Sequence, residues 1–384
     1  MNQIRENKES CFLSFYFPSY FCFGIVMSNF TPFLSSLGYD TGERGMLLSA
    51  YAFTTIGFQL FFGILADRYR TIKKIVVLSV LGFIAASTLL FTQNSANFML
   101  HFLLIALSGG LLNTLCGLYD TWLLGCEDRI QRRMSFIKAF GSIGWAVGSF
   151  VASYIILQLS YQGMAVSLVL VTALILLNLC LLRDINSVGS RTEITAKDVL
   201  RLFSNGKYLL LVVILFLMYS VVVANNCTVI DKMIGLGASQ TQISLKWSLQ
   251  SLLEIPTYIL GARLLARFDH YRLLRVSAAV LAVQFLGFSL THNVTMMIML
   301  SVLQLFSTPL ILITSKTLIF DLCPAELRGT SQMVALSIFT GASSLMIPAL
   351  AGRSGMVIGL DMTLMLAVGL SATAFLLICR LQKM

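Results

Sequence analysis

Charge is what this sequence has least of. Only 11% of its 384 residues are Asp, Glu, Lys or Arg, against about 25% in a soluble domain. That is too little polar surface to clothe a water-soluble body of this length. Histidine is nearly absent, with three residues, and there is no H-E-x-x-H, no G-x-S-x-G and no paired set of metal ligands. An intramembrane enzyme is therefore not expected, nor a metal or any other cofactor. The eight cysteines include no C-x-x-C pair and mostly lie in or beside apolar runs. There a thiol acts as a small hydrophobe, so no disulfide framework is expected. No cleavable leader is expected either: Met1–Ser10 is polar, and the first apolar run, Cys11–Gly38, is too long for one.

What is abundant is apolar length. The chain is 57% hydrophobic with a mean hydropathy of +0.84. Runs of about twenty apolar residues recur, each long enough to cross a bilayer. Lipid offers the backbone no hydrogen bonds, so such runs must be helices. The reading is an all-α membrane protein with twelve transmembrane helices in two six-helix bundles. Spans are expected near 11–36, 46–65, 74–92, 97–125, 134–158, 163–182, 208–230, 241–265, 273–291, 294–320, 329–352 and 360–379. The bundles are then 1–182 and 208–384, joined by a hydrophilic linker, 183–207, in which Thr195–Phe203 reads as a short amphipathic surface helix.

With the N-terminus placed inside, the inner segments hold 21 Lys and Arg and the outer ones four, Arg44, Lys232, Lys246 and Arg353. That asymmetry puts both termini in the cytoplasm. It also assigns the net charge of +10 to anionic lipid rather than to nucleic acid.

Three ionisable residues fall inside spans, where each costs roughly 2.5–3.5 kcal/mol and so should be paired or functional. Asp120 shares a face of span four with Asn113 and Gly117. Lys138 begins a polar stripe of span five with Ser142, Trp145 and Ser149, while Gly141, Gly144 and Gly148 permit a close helix neighbour. Glu254 shares a face of span eight with Gln250, Thr257 and Gly261. A carboxylate and an ammonium from adjacent antiparallel helices, with a Trp beyond them, suit a polyhydroxylated ring. The same set serves equally as an interhelical ion pair with a packing Trp.

After span two the chain reads Gly63-Ile-Leu-Ala-Asp67-Arg68-Tyr-Arg70-Thr-Ile-Lys73-Lys74. This resembles the signature loop of the major facilitator superfamily, G-x-x-x-D-[RK]-x-G-R-[RK], with Arg70 in place of its second glycine. Gly63, Asp67 and Arg68 would form a conformational gate. A degenerate copy follows span eight, Gly261-Ala-Arg263-Leu-Leu-Ala-Arg267-Phe-Asp269, as parallel repeats imply. Span five, Lys138-Ala-Phe-Gly-Ser-Ile-Gly-Trp145-Ala, is similar to R-M-F-G-C-V-G-W-A of the oligosaccharide:proton symporters. That family carries an acid eighteen positions before its arginine, where Asp120 stands here. The resemblance implies a monomeric carrier in a plasma membrane (the bacterial inner membrane), with a small solute, protons and the lipid bilayer as its partners. Asp120, Lys138, Trp145, Ser142 and Asn113 would bind the solute.

The family's C-terminal proton relay is not kept. Its charged positions fall at Gln284, Gln304, Ser307, Asn225, Asn226 and Thr340. Glu254, one turn from the family's helix-eight glutamate position at Ser251, is the remaining candidate for proton coupling. Arg to Lys at position 138 also loses the bidentate fork. Sugar uptake therefore stays open beside nucleoside or aromatic-acid uptake, drug efflux and a non-transporting membrane sensor.

Overall fold

The computed structural model describes residues 9–69, 71–184, 202–323 and 328–384. Fifteen α-helices run through them: α1 Glu9–Ser36, α2 Thr41–Tyr69, α3 Lys73–Phe91, α4 Phe98–Leu124, α5 Asp128–Arg132, α6 Met134–Leu181, α7 Gly206–Asn226, α8 Thr228–Gly235, α9 Gln240–Arg267, α10 His270–Leu290, α11 Val294–Leu300, α12 Thr308–Leu322, α13 Arg328–Leu336, α14 Ser343–Ile358 and α15 Leu360–Lys383. A 3₁₀ turn, Ser301–Phe306, joins α11 to α12, and a π turn, Ser337–Ala342, joins α13 to α14.

Polar residues set the helix starts. Asn97, Asn205, Asp269 and Asn293 cap α4, α7, α10 and α11 with their side-chain oxygens, and Ser239 with Gln242 makes a capping box on α9. Ten stretches among the described residues are long and apolar enough to cross a membrane. They count α6 once, although Ser160 (φ 59°) breaks it between the two spans expected there. They omit the 28-residue α9, which is more polar. Large apolar side chains face outward all along the chain, among them Phe53, Leu170 and Val357, each at least 69% exposed. In water such a surface would aggregate; against lipid it is the ordinary exterior.

The helices pack as two units. The first comprises residues 9–39, 50–184 and 243–252; the second comprises 40–49, 202–242, 253–323 and 328–384. The start of α2 therefore packs with the C-terminal helices, and the first half of α9 packs with the N-terminal ones.

In the first unit α1 lies along α6 at backbone contact. A Cβ on Gly144 or Gly148 would strike the carbonyls of Phe17 or Phe21, and one on Gly24 would strike the Trp145 carbonyl. The expected close neighbour of Gly141, Gly144 and Gly148 is thus α1. The second unit is built on α10, α15 and α7, with Leu274, Ala278, Leu215 and Ala374 fully buried.

Candidate functional site

In the first unit, Lys138 Nζ donates to Asp120 Oδ2 at 2.8 Å. The two side chains are 42% and 36% exposed. Asp120 Oδ1 is buried and has no hydrogen-bond partner among the described residues.

Helix α1 supplies the surroundings. The Tyr20 hydroxyl lies beside the Cys116 thiol, and both Asp120 and Lys138 lie within electrostatic reach of Cys116. Tyr20 stacks on Tyr16 with centroids 5.5 Å apart. A Cβ on Gly141 would meet the Tyr20 ring at 3.1 Å. The ring beside the charged pair is therefore Tyr20, a residue that the sequence reading did not single out. The aromatic density of Phe12–Phe23 is the signal that could have pointed to it.

The other expected solute-binding residues do not join the pair through hydrogen bonds. Asn113 donates to Thr55 on α2 at 3.4 Å. The Ser142 hydroxyl bonds the Lys138 carbonyl one turn back, while its own carbonyl accepts from Ser251 at 3.0 Å. Trp145 is half-buried, with its backbone against Gly24.

The second unit holds a separate polar cluster. Gln304, on the 3₁₀ turn, donates to Glu254 Oε1 at 3.3 Å and also bonds Thr308. Tyr219 and Tyr258 lie within electrostatic reach of Glu254. Among the described residues no cation pairs with it. The 3₁₀ turn frees carbonyls that neighbouring helices satisfy: Gln284 bonds Leu300 O, Thr257 bonds Leu305 O and Ser277 bonds Ser307 O. Irregular backbone inside a membrane survives only with such partners.

The family model for the MFS_1 like family matches residues 11–365. The chain belongs to this family of the major facilitator superfamily. It is a multi-pass membrane transporter, not an enzyme. It is 23% identical over 337 residues to a maltose permease of Geobacillus stearothermophilus, spanning 87% of this chain and 84% of that one. The fold is similar to that of the nucleoside transporter NupG, in a single-substitution variant, with a TM-score of 0.84 at 15% identity over 97% and 99% of the two chains. It is also similar to a peptide transporter, POT, with a TM-score of 0.73 at 12% identity over 98% and 96%.

The expected gate motif of this major facilitator protein lies differently from the sequence reading. Helix α2 runs on to Tyr69, so Gly63 and Arg68 sit on helix rather than in a loop. No described atom comes within 4 Å of a Cβ built on Gly63, so this glycine serves no close approach to them. Arg68 is exposed, its guanidinium 5.7 Å from the Tyr69 ring. The Asp67 side chain and residues 185–201 of the linker lie outside the described residues. Asp184, the last described residue before that stretch, accepts from Thr71, from Ile72 N at 2.9 Å and from Lys73 N at 3.0 Å.

Three of the cations counted as outer, Arg44, Lys232 and Lys246, are buried in the protein, at 7%, 4% and 0% exposed. Arg44 pairs with Asp231 at 2.8 Å and Lys232 with Asp361 at 2.6 Å. Lys246 lies 4.5 Å from the centroid of the Trp247 ring. They are more deeply buried than Asp120 and Lys138, the charges expected inside the membrane.

Proposed function

We propose that this transporter is a proton-coupled symporter taking up a sugar or similar small polar solute by alternating access. It works as a monomer of twelve spans in two six-helix bundles, α6 supplying two spans and α9 one. It sits in a bacterial inner membrane with both termini cytoplasmic, its 21 inner cations facing anionic lipid. The observation that carries the reading is the half-exposed Asp120–Lys138 pair. The pair cancels its own charge, so it favours a neutral solute over an organic ion. An acceptor oxygen beside an ammonium donor matches hydroxyl groups, which both give and take hydrogen bonds. Tyr20 and Trp145 offer ring faces for the apolar side of a sugar. The maltose permease is a sugar carrier by name, and its likeness spans most of both chains.

A second reading is uptake of a nucleoside. Glu254, with Gln304 beside it and Tyr219 and Tyr258 near, offers the carboxylate, amide and rings that a nucleobase would use.

Thermal-shift screening of purified protein against maltose and other sugars, nucleosides and aromatic acids separates the two. A sugar should raise the melting temperature of the parent and not of Asp120→Asn. Stabilisation by nucleosides alone, lost in Glu254→Gln and kept in Asp120→Asn, replaces the first reading with the second.

A further inference from the structure

Helix α3 begins where α6 ends, and both are long and apolar enough to cross a membrane. Between these two ends, within the first unit, lies an open cavity of about 750 Å³. Lys73, Lys74 and Arg183 line it together with a single acid, Asp184. Val77 and Cys180, about one turn further into the two helices, supply an apolar wall. The cations thus stand at helix ends, the level of lipid headgroups, and the apolar wall lies on the bilayer side of them.

The acid is spent on the fold. Asp184 accepts from Thr71 and from the backbone amides of Ile72 and Lys73, so it fills the anion position that the start of α3 offers. The cations are not spent in the same way. Lys73 gives one bond, at 2.7 Å, to the Leu182 carbonyl, and an ammonium has three donors. Lys74 is exposed and enters no ion pair among the described residues. Trp122 Nε1 donates to the Arg183 carbonyl at 3.2 Å, which fixes the backbone from which the exposed Arg183 side chain extends. The lining therefore carries two positive charges in excess. Helix stability does not account for them, because cations in the first turn of a helix oppose its dipole.

We infer that this cavity binds one anionic phospholipid, its phosphate held by Lys73, Lys74 and Arg183 and an acyl chain laid against Val77 and Cys180. Basic pockets between transmembrane helices suit such headgroups. Ammonium and guanidinium donors together match phosphate oxygens, and the guanidinium can do so with two parallel bonds. The two excess charges favour a lipid of net negative charge over a zwitterionic one, whose own cation would meet them. Free phosphate presents the same oxygens but leaves the apolar wall without a partner. Leu78 and Leu177, both exposed beyond the cavity, continue the apolar surface along the two helices. Neither the transported solute nor the face on which the cavity opens enters into this assignment.

The test titrates delipidated full-chain protein in detergent with phosphatidylglycerol and follows bound lipid by native mass spectrometry. Lys74→Gln with Arg183→Gln should weaken binding by about thirtyfold, or ~2 kcal/mol at ~1 for each cation. Lys74→Gln alone, at an exposed side chain, should weaken it by about fivefold, and Lys74→Arg should retain it. Arg267→Gln with Arg272→Gln removes two exposed cations from α9 and α10 and should leave binding unchanged. Cys180→Trp fills the cavity while keeping every cation, and should also weaken binding. Thermal melts in lipid-free detergent show that each variant is folded. Equal losses in the two double variants overturn the site and leave only diffuse attraction. Unchanged binding in Cys180→Trp overturns it as well, the cavity then being unused. So does equal affinity for phosphatidylcholine. Inorganic phosphate in large excess should not displace the lipid; displacement would make this a site for soluble phosphates and not for lipid.

Discussion

Lys138 and Asp120 meet at 2.8 Å across eighteen residues of sequence, on neighbouring helices, with about two-fifths of each side chain exposed. The carboxylate uses one oxygen on the ammonium and keeps the other unengaged. A pair arranged in this way is better suited to exchanging partners than to bracing the bundle.

The first prediction rests on that openness. Asp120→Asn and Lys138→Ala should each abolish solute binding while moving the melting temperature of the purified protein by no more than about 1 kcal/mol of stability. Calorimetric titration with the solute found by screening, alongside thermal melts, checks both halves. Unchanged affinity in Asp120→Asn removes Asp120 from the site.

The second prediction contrasts two glycines. Gly144→Ala forces a Cβ against the Phe17 carbonyl on the facing helix, which backbone cannot evade cheaply. It should destabilise the protein by roughly 1–3 kcal/mol, as overpacking does. Gly63→Ala meets no described atom within 4 Å and should be neutral or slightly stabilising. Melting temperatures of the two variants in one detergent decide it; equal losses would refute the contrast.

The third prediction concerns Lys232. Lys232→Met strands two α10 carbonyls and leaves Asp361 without its buried partner. Each buried carbonyl left unpaired costs about 1–3 kcal/mol. The variant should therefore melt well below Lys138→Ala, although both remove one lysine. A thermal melt of the two side by side is sufficient, and equal melting temperatures would show that Lys232 is not a structural anchor.

The difference between these lysines marks what the sequence could disclose. Lys138 was legible because it starts a polar stripe inside a long apolar run, with an acid on the preceding run. Lys232 and Arg44 stand in short polar stretches between runs, where solvated loops and buried ion pairs read alike. Arg44 finds its partner 187 residues away, and no local periodicity points there. The break at Ser160 carries no proline, yet both expected spans end beside it. Conversely, α9 is expected as a span from its length and its place in the chain, while its hydropathy alone does not suffice. The Tyr20 ring escapes a sequence reading because α1 is so rich in aromatics that no single one stands out.

The last prediction concerns coupling. A proton-driven carrier needs a group that alternates between charged and neutral as its surroundings change. Asp120 already has an ammonium partner at 2.8 Å. Glu254 has no such cation among the described residues; its hydrogen bond comes from the neutral amide of Gln304 at 3.3 Å. A carboxylate so placed in an apolar bundle is costly unless it takes up a proton. The 3₁₀ turn that carries Gln304 ends at Ser307, whose backbone is neither helical nor extended. Glu254→Gln fixes the neutral form. In proteoliposomes it should still exchange labelled solute across the membrane at a rate near the parent's. It should fail to accumulate that solute above equilibrium when a pH gradient is imposed. Accumulation equal to the parent's would show that the proton travels by another group or that no proton is coupled. Loss of exchange as well as accumulation would instead place Glu254 among the solute's own contacts.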